Sequence, residues 1–213
     1  MGRGSVKRAA TVGATAILVL AATFGCRVAT VRPLDDKGEP AAEAAAFPFD
    51  AVALVESVWR SEVLRALEGA PDVGSIASGA ASVAGAPGSR PTPLVVRGRG
   101  RVVAVDTRSR SGTATVELDG EGRATVILQI GPVITGTAIR DALPALGFDR
   151  FVNQIQHADV GNELNARVER EVLQPLDRAG LRGRHVSFSG MADFEAGRPL
   201  TVTPVTLTLE SRP

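Results

Sequence analysis

Hydrophobic positions change their period three times along this chain. Val52, Val55, Val58 or Trp59, Val63 and Leu67 recur three to four residues apart, which predicts an amphipathic helix. Asp50 is placed to cap its N-terminus, Phe49 is available for a staple, and Gly69-Ala70-Pro71 ends it after Glu68. From Leu94 the period falls to two. Leu94 to Thr107 is apolar and β-branched, and Gly98 and Gly100 inside it predict a sharp bend or a bulge. Gly112 to Leu118 sets Ala114, Val116 and Leu118 on one face and Thr113, Thr115 and Glu117 on the other. Asp119-Gly120-Glu121-Gly122 is a turn signal. Arg123 to Ile130 then alternates again, with Ala124, Val126, Leu128 and Ile130 inward and Arg123, Thr125, Ile127 and Gln129 outward.

Helical spacing returns in three runs, Thr137 to Leu143, Phe148 to His157 and Asp159 to Leu176. In the last, Val160, Leu164, Val168, Val172 and Leu176 form one stripe until Gly180 and Gly183 break it. His185 to Ala192 and Leu200 to Glu210 are the final strands, and Pro204 predicts an edge or a bulge in the second.

The order strand, strand, strand, helix, strand, strand predicts an α+β, mainly β fold. It is an OB-fold-like five-stranded barrel with an enlarged helical insertion between strands 3 and 4 and an added N-terminal helix. A two-layer α+β sandwich of the same elements is the alternative. Asp72 to Pro93 is rich in Gly, Ala, Ser and Pro and reads as a mobile surface loop, with a weak helix over Ile76 to Val83. The organisation expected is a signal peptide over 1–25, a tether over 26–47, the N-terminal helix and loop over 48–93, and the OB-like domain over 94–213.

Composition adds a compartment. Arg3, Lys7 and Arg8 precede a run from Thr11 to Gly25 without a charge, which ends in small residues before Cys26. That is the order of a secretory signal, and the run is short for a membrane-spanning helix. A cysteine directly after Gly25 resembles a bacterial lipoprotein signal, although Thr23 stands where that pattern prefers Leu. Cys26 is therefore the expected lipid attachment site, with an uncleaved signal anchor in the inner membrane as the alternative. Two acyl chains anchor stably where one does not. The whole chain has 24 basic and 23 acidic side chains. Removing residues 1–25 takes away three cations and no acid, so the net charge goes from +1 to 1 − 3 = −2. A nearly neutral domain gives no electrostatic reason to expect nucleic acid. One cysteine excludes an intramolecular disulfide framework.

The candidate chemistry concentrates at the hinge from Ile130 to Asp141. Gly131-x4-Gly136-Thr137 has the outline of a phosphate loop but lacks the lysine before the hydroxyl residue. The structural reading has Gly131-Pro132 ending a strand and Thr135 or Thr137 capping a helix, whose free amides would accept a small anion or a sugar hydroxyl. Arg97, Arg99, Arg101, Arg108 and Arg110 form a basic patch, but Leu94 to Ile130 contains no aromatic on which a base could stack. His157, Asp159 and His185 are too isolated to predict a metal site, and no Gly-x-Ser-x-Gly elbow is present. No cofactor is expected. The remaining polar cluster is Arg140, Asp141, Asn153, Gln154, Asn162 and Asn165, which would ring a pocket for a hydroxylated ligand or satisfy backbone groups at helix ends.

Several stretches carry a family resemblance: Phe49-Asp50 with Val58-Trp59, Gly98 through Val105, Leu128 through Pro144, Phe151-Val152-Asn153-Gln154-Ile155, Ala158-Asp159-Val160, Leu164-Asn165 and Thr203-Pro204-Val205. Together they resemble a bacterial family of predicted periplasmic lipoproteins of unknown function. Its members are often encoded beside sugar ABC transporters. The resemblance implies a membrane-anchored accessory or binding protein, with a transporter permease or substrate-binding protein as partner and no catalysis. A ligand would lie around Gly131, Thr135, Gly136, Thr137, Arg140, Asp141, Asn153 and Gln154. The alternative is an envelope enzyme using Arg140, Asp141 and Asn153 on a small hydroxylated substrate.

Overall fold

Five strands close into a barrel in the order β1-β2-β3-β5-β4. They are β1 (Thr92–Asp106), β2 (Thr113–Leu118), β3 (Thr125–Gln129), β4 (His185–Phe194) and β5 (Thr201–Leu209). All neighbours are antiparallel except β3 and β5, which run parallel. This is the expected OB arrangement, and it excludes the two-layer sandwich. The computed structural model describes residues 49–78, 91–120 and 123–210. They belong to one compact unit, Phe49–Pro213. The expected signal peptide, Cys26 and the tether lie outside the described residues, as does most of the Asp72 to Pro93 loop.

Closure depends on β1, which is long enough to serve two partners. It pairs with β4 from Thr92 to Arg101 and with β2 from Gly100 to Asp106. Gly100 stands where one pairing hands over to the other. A Cβ there would lie 2.1 Å from the Glu117 carbonyl oxygen, so only glycine lets the two backbones approach this closely. The ladder of β1 with β2 shifts register between Val102 and Ala104, which is the irregularity that the glycines of this strand predicted. The bulge expected near Pro204 is also present: β4 and β5 shift register between Ser189 and Gly190, opposite Thr206 and Pro204.

The inward alternation of β2 and β3 fills the barrel with Ala114, Val116, Leu118, Val126, Leu128 and Ile130. A short helix at one end contributes to this core, which corrects the expectation of a loop there. Asp72 caps α2 (Val73–Ala77), and Val73 is buried among the barrel side chains.

A second core lies outside the barrel, where α1 (Ala51–Val58) packs against α4 (Gln154–Val168) and both cover Met191 and Val205. Helix α1 (Ala51–Val58) continues through a π-helical stretch, Trp59–Leu64, into Arg65–Glu68. Its buried residues are Val55, Trp59, Val63 and Leu67, at intervals of four. In an ideal helix of 3.6 residues per turn such a row drifts around the axis. The wider π turn takes up the excess and keeps the four on one face. Val52, expected on the same stripe, is exposed.

The insertion between β3 and β4 departs further from its expected pattern. The first helix, α3 (Ala138–Asp141), is short, and Phe148–Arg150 is a single 3-10 turn. The chain then breaks at Asn153 and not near Ala158. Asn153 is extended and its side chain accepts from the Gln156 amide, so one helix, α4 (Gln154–Val168), runs straight through His157 and Asp159. A second π stretch, Glu169–Leu173, closes with the Gln174 amide donating to the Glu169 carbonyl at 2.7 Å. The additional residue moves the stripe on by one. Leu173 is buried where Val172 was expected. Arg178 then ties the helix end to the barrel by donating to the carbonyls of Leu173 and Ile130.

Candidate functional site

The hinge after β3 is held by a side chain expected to face solvent. Gln129 is 5% exposed. Its amide nitrogen donates to the Thr135 carbonyl (3.0 Å) and to Thr203 Oγ1 (2.9 Å). Its oxygen accepts from the Thr135 amide (2.8 Å) and hydroxyl (2.9 Å). The period of two was read correctly, but at this end of β3 the outward face is covered by the hinge and by β5. A buried amide with four partners fixes the path of the chain from Ile130 to Gly136.

Three of the hinge amides are engaged within the fold. The Gly131 amide donates to Gly112, Val133 to Arg110, and Thr135 to Gln129. Thr137 precedes α3 but makes no capping bond; its hydroxyl donates to Asp141 Oδ2 at 2.7 Å. Thr135 is likewise turned back to Gln129 and caps nothing.

Polar groups gather instead in a cleft of about 540 Å³ lined by Pro91, Pro93, Gly136, Thr137, Arg140, Asp141, His157 and Asp193. Arg140 is its fixed point. Its Nε donates to Asp141 Oδ1 at 2.8 Å, and its Nη1 donates to the His157 carbonyl at 3.1 Å, so α3 is pinned to α4. Gly161 makes room for it, since a Cβ there would stand 3.3 Å from Nη1. Asp141 is thereby satisfied by a guanidinium and a hydroxyl.

Asp193 closes the opposite wall. It pairs with Pro93 across the β1–β4 ladder, and it makes no side-chain hydrogen bond or ion pair among the described residues. Burial raises its pKa above the ordinary carboxylate value, and the negative charge of Asp141 adds to the rise. Gly136 reaches this wall with φ +85°, a left-handed conformation that glycine adopts freely. A Cβ at Gly136 would lie 3.6 Å from Asp193 Oδ2. Asn165 holds the turn by donating to the Gly136 carbonyl at 2.9 Å.

An acid whose folded pKa is raised stabilises the fold only while it is protonated. Its contribution is present below the unfolded carboxylate range and is lost as pH rises through the folded value. Asp193→Asn is therefore expected to raise the thermal midpoint at pH 7, and the gain should vanish in acid. A midpoint difference that does not change with pH would mean that Asp193 is not desolvated in the cleft.

Of the residues singled out in the sequence, Gly136, Thr137, Arg140 and Asp141 come together here. Gly131 and Thr135 shape the hinge behind them. Asn153 and Gln154 do not line the cleft; Asn153 is occupied as a helix cap, Gln154 and Asn162 are exposed, and Asn165 supports the Gly136 turn. His157 packs its ring against Phe148 and Phe151 and bonds the Leu146 carbonyl at 3.2 Å. Among the described residues no three His, Cys, Asp or Glu side chains gather as a metal set. Asp193 was missed because it lies one residue beyond the end assigned to its strand. Only the β1–β4 ladder brings it to the hinge.

A wider depression of about 610 Å³ lies on the barrel's outer face, among Arg97, Arg99, Ser187, Ser189, Thr206 and Thr208. Some of its groups are engaged within the fold. Ser189 Oγ lies 2.6 Å from Thr206 Oγ1, and Arg99 Nε lies 2.7 Å from Glu210 Oε1. Arg108 similarly holds the exposed Asp106 carboxyl down to about 2 by hydrogen bonding. The arginine patch is in part neutralised by these acids, and it reads as a solvated strand face.

A family model described as "Predicted periplasmic lipoprotein (DUF2291)" matches residues 16–208. Among solved structures, the chain is similar to an OB-fold protein from Thermotoga maritima MSB8, at 20% identity and a TM-score of 0.56. That match covers 76% of this chain and 99% of the other, and it shows the fold. An OBody bound to hen egg-white lysozyme matches at 19% identity over 60% of this chain and 87% of its own, with a TM-score of 0.28. No curated protein matches the chain.

Proposed function

The chain belongs to the family of predicted periplasmic lipoproteins, and from that premise we propose that it is a lipid-anchored binding module whose hinge cleft takes a small hydroxylated ligand. Family membership places it in the periplasm as a lipoprotein, in preference to a protein held by an uncleaved signal anchor. Among the described residues no helix is long and apolar enough to cross a membrane. Cys26 is the attachment point in this reading. Palmitate labelling of the wild type against Cys26→Ser tests it, and equal labelling of the two would sink it.

The observation that carries the ligand is the Asp193 carboxylate, without a side-chain partner among the described residues, facing the Arg140–Asp141 pair across one cleft. A hydroxyl both donates and accepts, so it can bridge a carboxylate acceptor and a guanidinium donor at once. Two acids against one Arg make the cleft a poor host for an anion and a better one for a neutral polyol or a sugar. The cleft residues are held before any ligand arrives, by the bonds of Arg140 to His157 and of Asn165 to Gly136, which lowers the cost of binding.

We place the module beside a sugar uptake system, as an accessory to the permease or the substrate-binding protein. Crosslinking the lipoprotein in cells and identifying what co-purifies tests that association. Recovery of neither partner would remove it. No catalytic step is assigned, because Asn153, the third member of the enzyme reading, is engaged as a helix cap and does not line the cleft.

A further inference from the structure

We propose that a protruding apolar cluster beside the start of the described domain docks on the surface of a phospholipid bilayer. Its members are Val52, Phe148, Val152 and Ile155, which are 60%, 54%, 88% and 71% exposed. Ring contacts bring Phe148, Phe151 and Phe49 together around His157, and Val152, Ile155 and Val52 are close to these rings in sequence. Phe148 and Phe151 both lie against His157, at centroid distances of 5.4 and 5.1 Å, and Phe49 meets Phe151 edge-on at 6.0 Å. Val152 follows Phe151, Ile155 stands in the first turn of α4, and Val52 lies one turn into α1 from Phe49.

Position in the chain selects the occupant. Phe49 is the first described residue, and Pro48 before it ends the segment that leads back to Cys26. From Cys26 to Pro48 there are 48 − 26 + 1 = 23 residues, which even fully extended span at most about 80 Å. A tether of that length, joined to the domain beside Phe49, lets the apolar patch reach the bilayer; this rests on the lipid-anchor reading above. Its chemistry agrees. Highly exposed aliphatic side chains and a Phe suit insertion at the headgroup boundary, with Arg150 beside them to meet lipid phosphate and the exposed acids Asp50, Asp149 and Asp159 around them, so the apolar side chains and not charge carry the docking. Four side chains make a patch too small for a stable protein interface, which buries about 1,200–2,000 Å². Added to an anchor already in the membrane, such a patch is enough to orient a domain.

The test uses the full-length acylated lipoprotein reconstituted in vesicles of phosphatidylethanolamine and phosphatidylglycerol. An environment-sensitive fluorophore is placed on Val152→Cys, on Ile155→Cys or, as a control, on Thr107→Cys in the exposed turn after β1. All three positions are exposed, so labelling leaves the core intact. Docking predicts blue-shifted emission at 152 and 155 and quenching there by lipids with a shallow spin label, with neither change at 107. Emission at 152 and 155 that stays aqueous while the protein floats with vesicles overturns docking and leaves the anchor standing. A protein that does not float overturns both. Burial of the labels without vesicles, through self-association or by another segment of the chain, overturns docking too, as does burial that requires an added periplasmic protein.

Discussion

Trp59→Ala is expected to cost about 4 kcal/mol of unfolding free energy, more than any other truncation in the outer core. Trp59 is buried on the α1 face that meets α4, and the Arg167 guanidinium lies 4.5 Å from its ring centroid. Truncation removes the burial of the largest side chain in the outer core and leaves a cavity between two helices that a barrel prevents from collapsing. It also strips the cation–π contact from an Arg that Glu56 and Glu171 hold in place, the latter at 2.9 Å. Natural domains hold about 5–15 kcal/mol, so roughly a quarter or more of the margin would go. Urea unfolding should show a lower midpoint with an unchanged slope, and Trp59→Phe should lose less than half as much. A loss below about 1 kcal/mol would mean that α1 does not share a core with α4.

Gln129→Ala is expected to cost about 2–3 kcal/mol, from a cavity and from the orphaned Thr203 hydroxyl. Thr203 is buried, so water cannot replace the lost amide there. The consequence extends to the cleft, because Gln129 makes three hydrogen bonds to Thr135, one residue before Gly136. Thr203→Val, which removes one of the four bonds, should cost about 1 kcal/mol and leave the hinge in place. Amide exchange at Thr135 distinguishes the two variants: it should rise sharply in Gln129→Ala and little in Thr203→Val. Equal protection in both would show that the hinge is held by something else.

How far the sequence could be read depended on the range of the interactions. The barrel was legible because Ala114, Val116 and Leu118, and Val126, Leu128 and Ile130, alternate against turn residues that carry their own signal. The bulges were legible because Gly98, Gly100 and Pro204 each limit what a backbone can do. What failed depended on residues brought together from a distance. Gln129 obeys the strand period but meets Thr203, 74 residues on, and so is buried on the face that should have been wet. Leu173 takes the place of Val172 because a π turn adds a residue, and nothing local announces it. The break at Asn153 carried a capping signal that the apolar pattern around His157 obscured. Of the polar cluster, Arg140 and Asp141 line the cleft and Asn165 supports its Gly136 turn, while Asn153, Gln154 and Asn162 lie outside it. Its decisive partner, Asp193, sits 52 residues past Asp141 and enters only through the strand ladder.

The proposed function rests on that cleft, and titration calorimetry examines it most directly. Acylated wild-type protein and Asp193→Asn, in detergent, are titrated with a panel of pentoses, hexoses and an amino sugar, with inorganic phosphate as the anionic control. A hydroxylated ligand seated between Asp193 and Arg140 predicts saturable heat with at least one sugar. That heat should be weakened at least tenfold in Asp193→Asn, a loss of one charged hydrogen bond, and phosphate should give none. Equal affinity in the two proteins, binding of phosphate in place of sugar, or no heat with any member of the panel would contradict the assignment of the hinge cleft as the binding site.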